Sequence, residues 1–236
     1  MKITTRQISC DHSHNYHKYL EFNFPKKDEI LQIARNKAHE LVDKLNSQYL
    51  GSNRIRSDDE KISSATRGLL AEICSKKILE TEIEKRNLTV KLIESEGLVE
   101  TPEGTTQIDL QLGIDGKKFD LEIRSSCVRN GTEFGITSGF FNIIGWYTHP
   151  TKKFEPPKDF YLMYLFPFDA KYTLSKFDDG FVMHFVGGAT KTMLEGPLGR
   201  YKNLKQVGVK YCGISPICAG LDSSQMIEKM LTSDRI

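Results

Sequence analysis

The chain has 236 residues, 39% of them hydrophobic and 27% charged, with a formal net charge of +2. That is an ordinary balance for a globular protein of one large domain or a core with an added subdomain, and it excludes a polycation. A nucleic-acid partner would need basic residues gathered on one face.

Five cysteines, an odd number without a close CxxC pair, point to reduced thiols in a cytoplasmic chain. The polar, charged N-terminus offers no apolar h-region, so no signal peptide is expected. No apolar run approaches the roughly 20 residues of a membrane-spanning helix. There is no internal repeat and no low-complexity tract.

In chain order, residues 28–49 are predicted as a helix. Ile30, Leu31, Ala34, Ala38, Leu41, Val42 and Leu45 keep helical spacing, and Gly51 ends it. Residues 52–63 are polar and read as a connection. A second helix is predicted over 64–86, capped by Ser63 or Ser64, with Leu69, Leu70, Ile73, Ile78 and Leu79 on its apolar face. The β-branched stretch 88–93 predicts a strand, and a Gly/Pro-containing loop follows at 95–106. A hairpin is predicted over 107–125. The apolar stretch 136–147 predicts a helix by its length. Residues 148–158 are a loop rich in Pro and Lys. Residues 160–168 are almost continuously apolar, as a strand buried on both faces would be. Another strand is predicted at 180–186, and a short helix at 223–231 with Asp222 as its cap. The order predicts an α/β fold with a central mixed sheet flanked by helices. Residues 1–63 are read as an N-terminal helical addition, and 64–236 as the main unit.

The hairpin carries the chemistry. Asp115-Gly116 suits a two-residue turn whose central positions both need φ > 0. With that turn, facing positions sum to about 231. Leu110 then faces Leu121, Leu112 faces Phe119, Gln111 faces Asp120, and Asp109 faces Glu122. Apolar residues meet apolar ones throughout. Like charges directly opposite destabilise a sheet, so an Asp–Glu pair calls for a cause. A hard divalent cation held between the carboxylates is one. Mg²⁺ suits one or two carboxylates, keeps several waters, and leaves positions open for a phosphate oxygen and an attacking water. Alternation puts Asp120, Glu122 and Arg124 on one face and Phe119, Leu121 and Ile123 on the other. Arg124 thus adds a fixed positive charge beside the carboxylates. The plainer alternative is a solvated hairpin face laced by a salt bridge.

Asp109, the hairpin and then Glu122-Ile123-Arg124-Ser125-Ser126 resemble the PD-(D/E)XK motif of restriction-endonuclease-like nucleases. The resemblance implies that Asp109, Glu122 and the Ile123 carbonyl bind Mg²⁺, with Mn²⁺ as a substitute. Glu72, in Arg67-Gly-Leu-Leu-Ala-Glu72, matches a Glu that often joins the site from the first core helix. The family core runs αβββαβ, and residues 64–168 can be read in that order. Ile108 stands where the family has Pro, and Arg124 where it has Lys. Arg stays protonated, so it cannot serve as a base and would act as a fixed charge. The implied function is a Mg²⁺-dependent endonuclease cutting double-stranded DNA, as in a type II restriction enzyme or related defence nuclease. Such enzymes commonly act as homodimers, for which the 28–49 helix offers a surface. The alternatives are a module of the same fold that binds nucleic acid without cutting it, and a nuclease directed at RNA.

Other stretches carry weaker signals. Ser126 and Arg129, flanked by Ser125 and Asn130, can bond phosphate oxygens, as can Lys152 and Lys153 beside Trp146, Tyr147 and Phe154. Arg200, Lys202, Lys205 and Lys210 form a second basic stretch near Tyr201. Each stretch alone suits a solvated loop equally well. His12, His14 and His17 are dense in metal-ligand chemistry, but no second cluster completes a tetrahedral zinc site. His149 and His184 are isolated and read as loop or core residues. Gly187-Gly188-Ala189-Thr190-Lys191-Thr192 lacks phosphate-loop spacing and reads as a turn after a strand.

Overall fold

A computed structural model describes residues 1–10, 15–45, 55–94, 109–148, 156–204 and 209–232. The most apolar stretch sits at its centre. Strand β7 (Phe160–Phe166) is buried at every residue, as its lack of alternation predicts. Its alternate side chains feed two cores. Phe160, Leu162, Tyr164 and Phe166 enter the first, and Tyr161, Met163 and Leu165 enter the second.

Around it the described residues form a seven-stranded sheet in the order β1-β2-β8-β7-β5-β4-β3. These strands are β1 (Lys2–Cys10), β2 (Asn15–Phe24), β3 (Lys91–Glu94), β4 (Leu110–Ile114), β5 (Lys117–Cys127) and β8 (Phe181–Thr190). β5 and β7 run parallel, and the other described pairs run antiparallel. A parallel pair needs a crossover. Helix α3 (Thr132–Thr137) and strand β6 (Ile143–Thr148) lie within it.

Helices cover the first face: α1 (Glu29–Leu41), α2 (Asp58–Arg86), α4 (Thr173–Asp179) and α6 (Ser223–Leu231). Leu31, Leu70, Phe177 and Met226 are their fully buried contributions. The second face lies under a three-stranded sheet, β6-β10-β9, made with β9 (Arg200–Leu204) and β10 (Val209–Ile214). Ile143, Trp146, Cys212 and Ile214 pack there with Ile136 of α3 and with Leu194 of α5 (Lys191–Glu195). The fold is therefore α/β, with a mixed central sheet flanked by helices.

Several elements differ from the sequence reading. The N-terminal addition is not purely helical, because β1 and β2 pair antiparallel and extend the main sheet through the pairing of β2 with β8. β1 is an edge strand with eight of its nine residues at least partly exposed, so it shows no apolar alternation. The predicted 136–147 helix is wrong beyond its first two residues. α3 stops at Thr137, Gly139 turns the chain at φ +72, and β6 follows, held by pairing with β10. α2 starts at Asp58, inside the expected connection, because Ser57 and Glu60 form a capping box. α1 ends at Leu41 and a short 3-10 turn follows. β3 begins three residues later than the predicted strand, and β8 runs on to Thr190. α6 and its Asp222 cap stand as read.

Candidate active site

Asp115 and Gly116 have φ of +49 and +78, the two positive values that a two-residue hairpin turn requires. The ladder then follows the expected register, from Ile114 facing Lys117 to Leu110 facing Leu121. Gln111 donates to the Asp120 carboxylate at 2.8 Å. β4 stops at Leu110, while β5 continues through Cys127. Beyond the last β4 partner, the Asp109 side chain takes over the ladder. Its Oδ2 accepts from the Ile123 backbone N–H at 2.6 Å. A strand residue points its N–H and C=O to the same edge, so the Ile123 carbonyl faces this same side.

Glu122 is buried, at 6% exposure. It faces Tyr161 across the parallel ladder and so lies on the second face. Arg124, two residues on, shares that face and forms an ion pair with Glu122, Nη1 to Oε1 at 3.2 Å. The Arg124 guanidinium also sits over the Tyr147 ring, 4.9 Å from its centroid. Glu72 comes from α2, whose buried residues pack on the Leu121 face. Burial raises the Glu72 carboxyl above its ordinary range, and the charge of Asp109 raises it further.

The structure thus brings Glu72 to Asp109, and Asp109 to the Glu122–Ile123 segment. It does not gather three carboxylates. Glu72 and Glu122 approach from opposite faces of the sheet with Asp109 at the strand end between them. Among the described residues, no three His, Cys, Asp or Glu side chains form a group that would hold a metal. Two carboxylates and a carbonyl remain, an all-oxygen donor set that fits a hard cation and not a soft one. Arg124 is the competing source of positive charge for Glu122.

Of the phosphate-contact candidates, Ser126 is partly buried on β5 and shares the Glu122 face. Arg129 is exposed in the turn after β5. Lys152, Lys153 and Lys205 lie outside the described residues, as do His12, His14 and His149.

A second polar chain, with no signal in the residue pattern, leads away from Arg124. Tyr147 neighbours Tyr211, with ring centroids 6.5 Å apart. Asn142 Nδ2 donates to the Tyr211 hydroxyl at 2.7 Å, and Lys202 Nζ donates to Asn142 Oδ1 at 3.0 Å. These residues meet because β6 and β9 both pair with β10. A helix over 136–147 would not bring them together.

The remaining motifs are structural. His17 is buried and its Nε2 bonds the Val186 carbonyl at 2.8 Å. It lines a cavity of about 390 Å³ with Cys10, Tyr16, Cys218, Gly220, Asp222 and Gln225. This cavity shares no residue with the carboxylate hairpin. Its one carboxylate, Asp222, is committed to capping α6. His184 is a core residue, with Nδ1 2.7 Å from the Thr132 hydroxyl. Gly187 is a bulge residue at φ +92. A Cβ there would lie 2.0 Å from the Leu221 carbonyl oxygen, so the glycines serve close packing.

No helix among the described residues is long and apolar enough to cross a membrane. None of the cysteines is in a disulfide. Neither models of known protein families, nor curated proteins, nor solved structures give a match to this chain.

Proposed function

We infer that the protein is a Mg²⁺-dependent endonuclease acting on double-stranded DNA, built on a restriction-endonuclease-like core. One observation carries this reading: the Asp109 carboxylate bonds the backbone of Ile123 at 2.6 Å, directly beside Glu122. This bond supports a cluster of Asp109, the Ile123 carbonyl on the same strand edge, and Glu122 as the preceding residue. The element order supports it: α2, then antiparallel β3, β4 and β5, then α3, then β7 parallel to β5.

In this reading Asp109, Glu122 and the Ile123 carbonyl hold the cation, and Glu72 tunes Asp109 by its neighbouring charge. When bound, Mg²⁺ lowers the pKa of a water and neutralises charge on the phosphate. Arg124 stays protonated and offers its guanidinium to the scissile phosphate. The Tyr147 ring lies against that guanidinium and helps to hold it. Ser126 on β5 and Arg129 in the turn after it serve as phosphate contacts.

The test is plasmid cleavage with Mg²⁺ or Mn²⁺ by wild type, Asp109→Ala and Glu122→Ala. Loss of cutting in both variants is the expected result. Cutting that survives both substitutions excludes this site, and preference for an RNA substrate replaces the DNA assignment. A second reading rests on the Glu122–Arg124 ion pair at 3.2 Å, which sets a guanidinium against the buried carboxylate in place of a metal ion. It makes the protein a nucleic-acid-binding module without cleavage. Salt-sensitive DNA binding with no cutting under any divalent metal selects that reading.

A further inference from the structure

We propose that the small sheet β6-β10-β9 is the wall of the site that grips the nucleic-acid backbone, with Lys202 contacting a phosphate beside the scissile one. This rests on the endonuclease reading and extends the same site. The placement comes from the chain of contacts that leaves the hairpin: Glu122 to Arg124, Arg124 over Tyr147, Tyr147 to Tyr211, Tyr211 to Asn142, and Asn142 to Lys202. It runs unbroken from the carboxylates to a cation on a different sheet.

The register makes this one surface. Tyr147 and Lys202 both face Tyr211 across their ladders, and cross-strand partners share a face. Burial lowers the Lys202 ammonium below its ordinary range. Among the described residues its hydrogen-bond partner is the neutral Asn142 oxygen, and no carboxylate pairs with it. An ammonium partly withdrawn from water and fixed by an amide oxygen still has donors to give to an anion. Asn142 is itself held by the Tyr211 hydroxyl, so the cation is positioned and not merely present.

The same geometry decides between phosphate and base. Tyr211 is 3% exposed, so its ring offers no face for a base to stack on. Its hydroxyl serves to brace Asn142. On the face that carries Lys202 the wall therefore recognises backbone, with binding that is salt-dependent and indifferent to sequence.

The experiment measures binding of a labelled duplex by fluorescence anisotropy, at several salt concentrations, with Ca²⁺ in place of Mg²⁺. Wild type, Lys202→Met, Lys202→Arg and Tyr211→Phe are compared, with thermal unfolding as a check on folding. Lys202→Met is expected to weaken binding roughly tenfold and to reduce the salt slope by about one, equally for unrelated sequences. Lys202→Arg restores most of the affinity, and Tyr211→Phe loses part of it. Unchanged affinity and slope in Lys202→Met overturn the proposal while wild-type cleavage keeps the endonuclease reading. A loss in Lys202→Met confined to one sequence, or one that Lys202→Arg does not restore, also overturns it. A wild type that neither binds nor cuts nucleic acid overturns both. If Lys202→Met is destabilised, Tyr211→Phe decides: normal binding by that variant overturns the bracing role and with it the proposal.

Discussion

In the β1–β2 hairpin, Arg6 and Glu21 hold each other at 2.9 Å, and His184 stands 3.6 Å from the same carboxylate. In the β4–β5 hairpin, Asp109 follows the end of β4 and accepts from the Ile123 backbone N–H, next in sequence to Glu122. The first arrangement cancels its own charge. In the second, Asp109 bonds a backbone N–H and Glu122 pairs with Arg124 of its own strand. On the endonuclease reading the difference follows from a second role for β4–β5, since like charges brought near one another cost stability unless something offsets them.

Charge removal should therefore affect the two hairpins in different ways. The largest expected effect is on cleavage. Asp109→Ala and Glu122→Ala should each lower the rate by about 10²-fold to 10³-fold or more, the usual cost of losing a group that stabilises the reacting phosphate. Glu21→Gln should leave the rate within about twofold and lower the unfolding midpoint instead, since its carboxylate serves the fold. Single-turnover cleavage and thermal melting on the same preparations separate the two. Equal rate losses in all three variants would end the distinction between the hairpins.

Packing gives the next contrast. Leu112 is fully buried opposite Phe119, and Leu112→Ala should cost about 2–5 kcal/mol in urea unfolding. Ile3, 42% exposed on β1, should cost roughly 0.5 kcal/mol or less as Ile3→Ala. Gly116→Val tests the turn. A β-branched side chain at φ +78 is strained by about 1–3 kcal/mol. The same change should loosen the Asp109 contact, so cleavage should fall with stability. A fall in stability alone would show that the register survives without the turn.

The same two hairpins show what residue order can reveal. β4–β5 is legible because its turn, its alternation and its pair sums all agree, and together they give the ladder from Ile114–Lys117 to Leu110–Leu121. β1–β2 is not, because an edge strand exposed on both sides carries no periodicity, and local pattern cannot report pairing with β8. For the same reason the Tyr147–Tyr211–Asn142–Lys202 chain is invisible in the sequence. It depends on strands β6, β9 and β10, whose contacts join residues about 60 positions apart. The opposed approach of Glu72 and Glu122 is also hidden, since a motif specifies residue types without sheet faces. The motif presents Arg124 as a cation offered to the site, whereas the structure engages it with Glu122 and Tyr147.

The smallest expected effect concerns pH and belongs to the first hairpin. Burial holds the His17 and His184 imidazoles below their ordinary range. For His184 the nearby Glu21 opposes this, but desolvation is the larger influence. Each histidine therefore takes up a proton more readily in the unfolded chain. The unfolded state binds more protons at pH below about 6.5, so stability is full above that value and declines as the solution is acidified. Glu21, held down chiefly by its hydrogen bond to Arg6, adds a second loss at lower pH, beginning near the ordinary carboxylate range. Unfolding midpoints measured from pH 8 to pH 4 should fall in these two stages. His184→Gln should flatten the upper stage, because Gln can still bond Thr132 but cannot titrate. Asp109→Asn should leave that stage untouched, since the carboxylate hairpin lies outside the histidine cluster. An upper stage that persists when both His17 and His184 are replaced by Gln would assign the acid sensitivity to other groups and remove the first hairpin's claim to it.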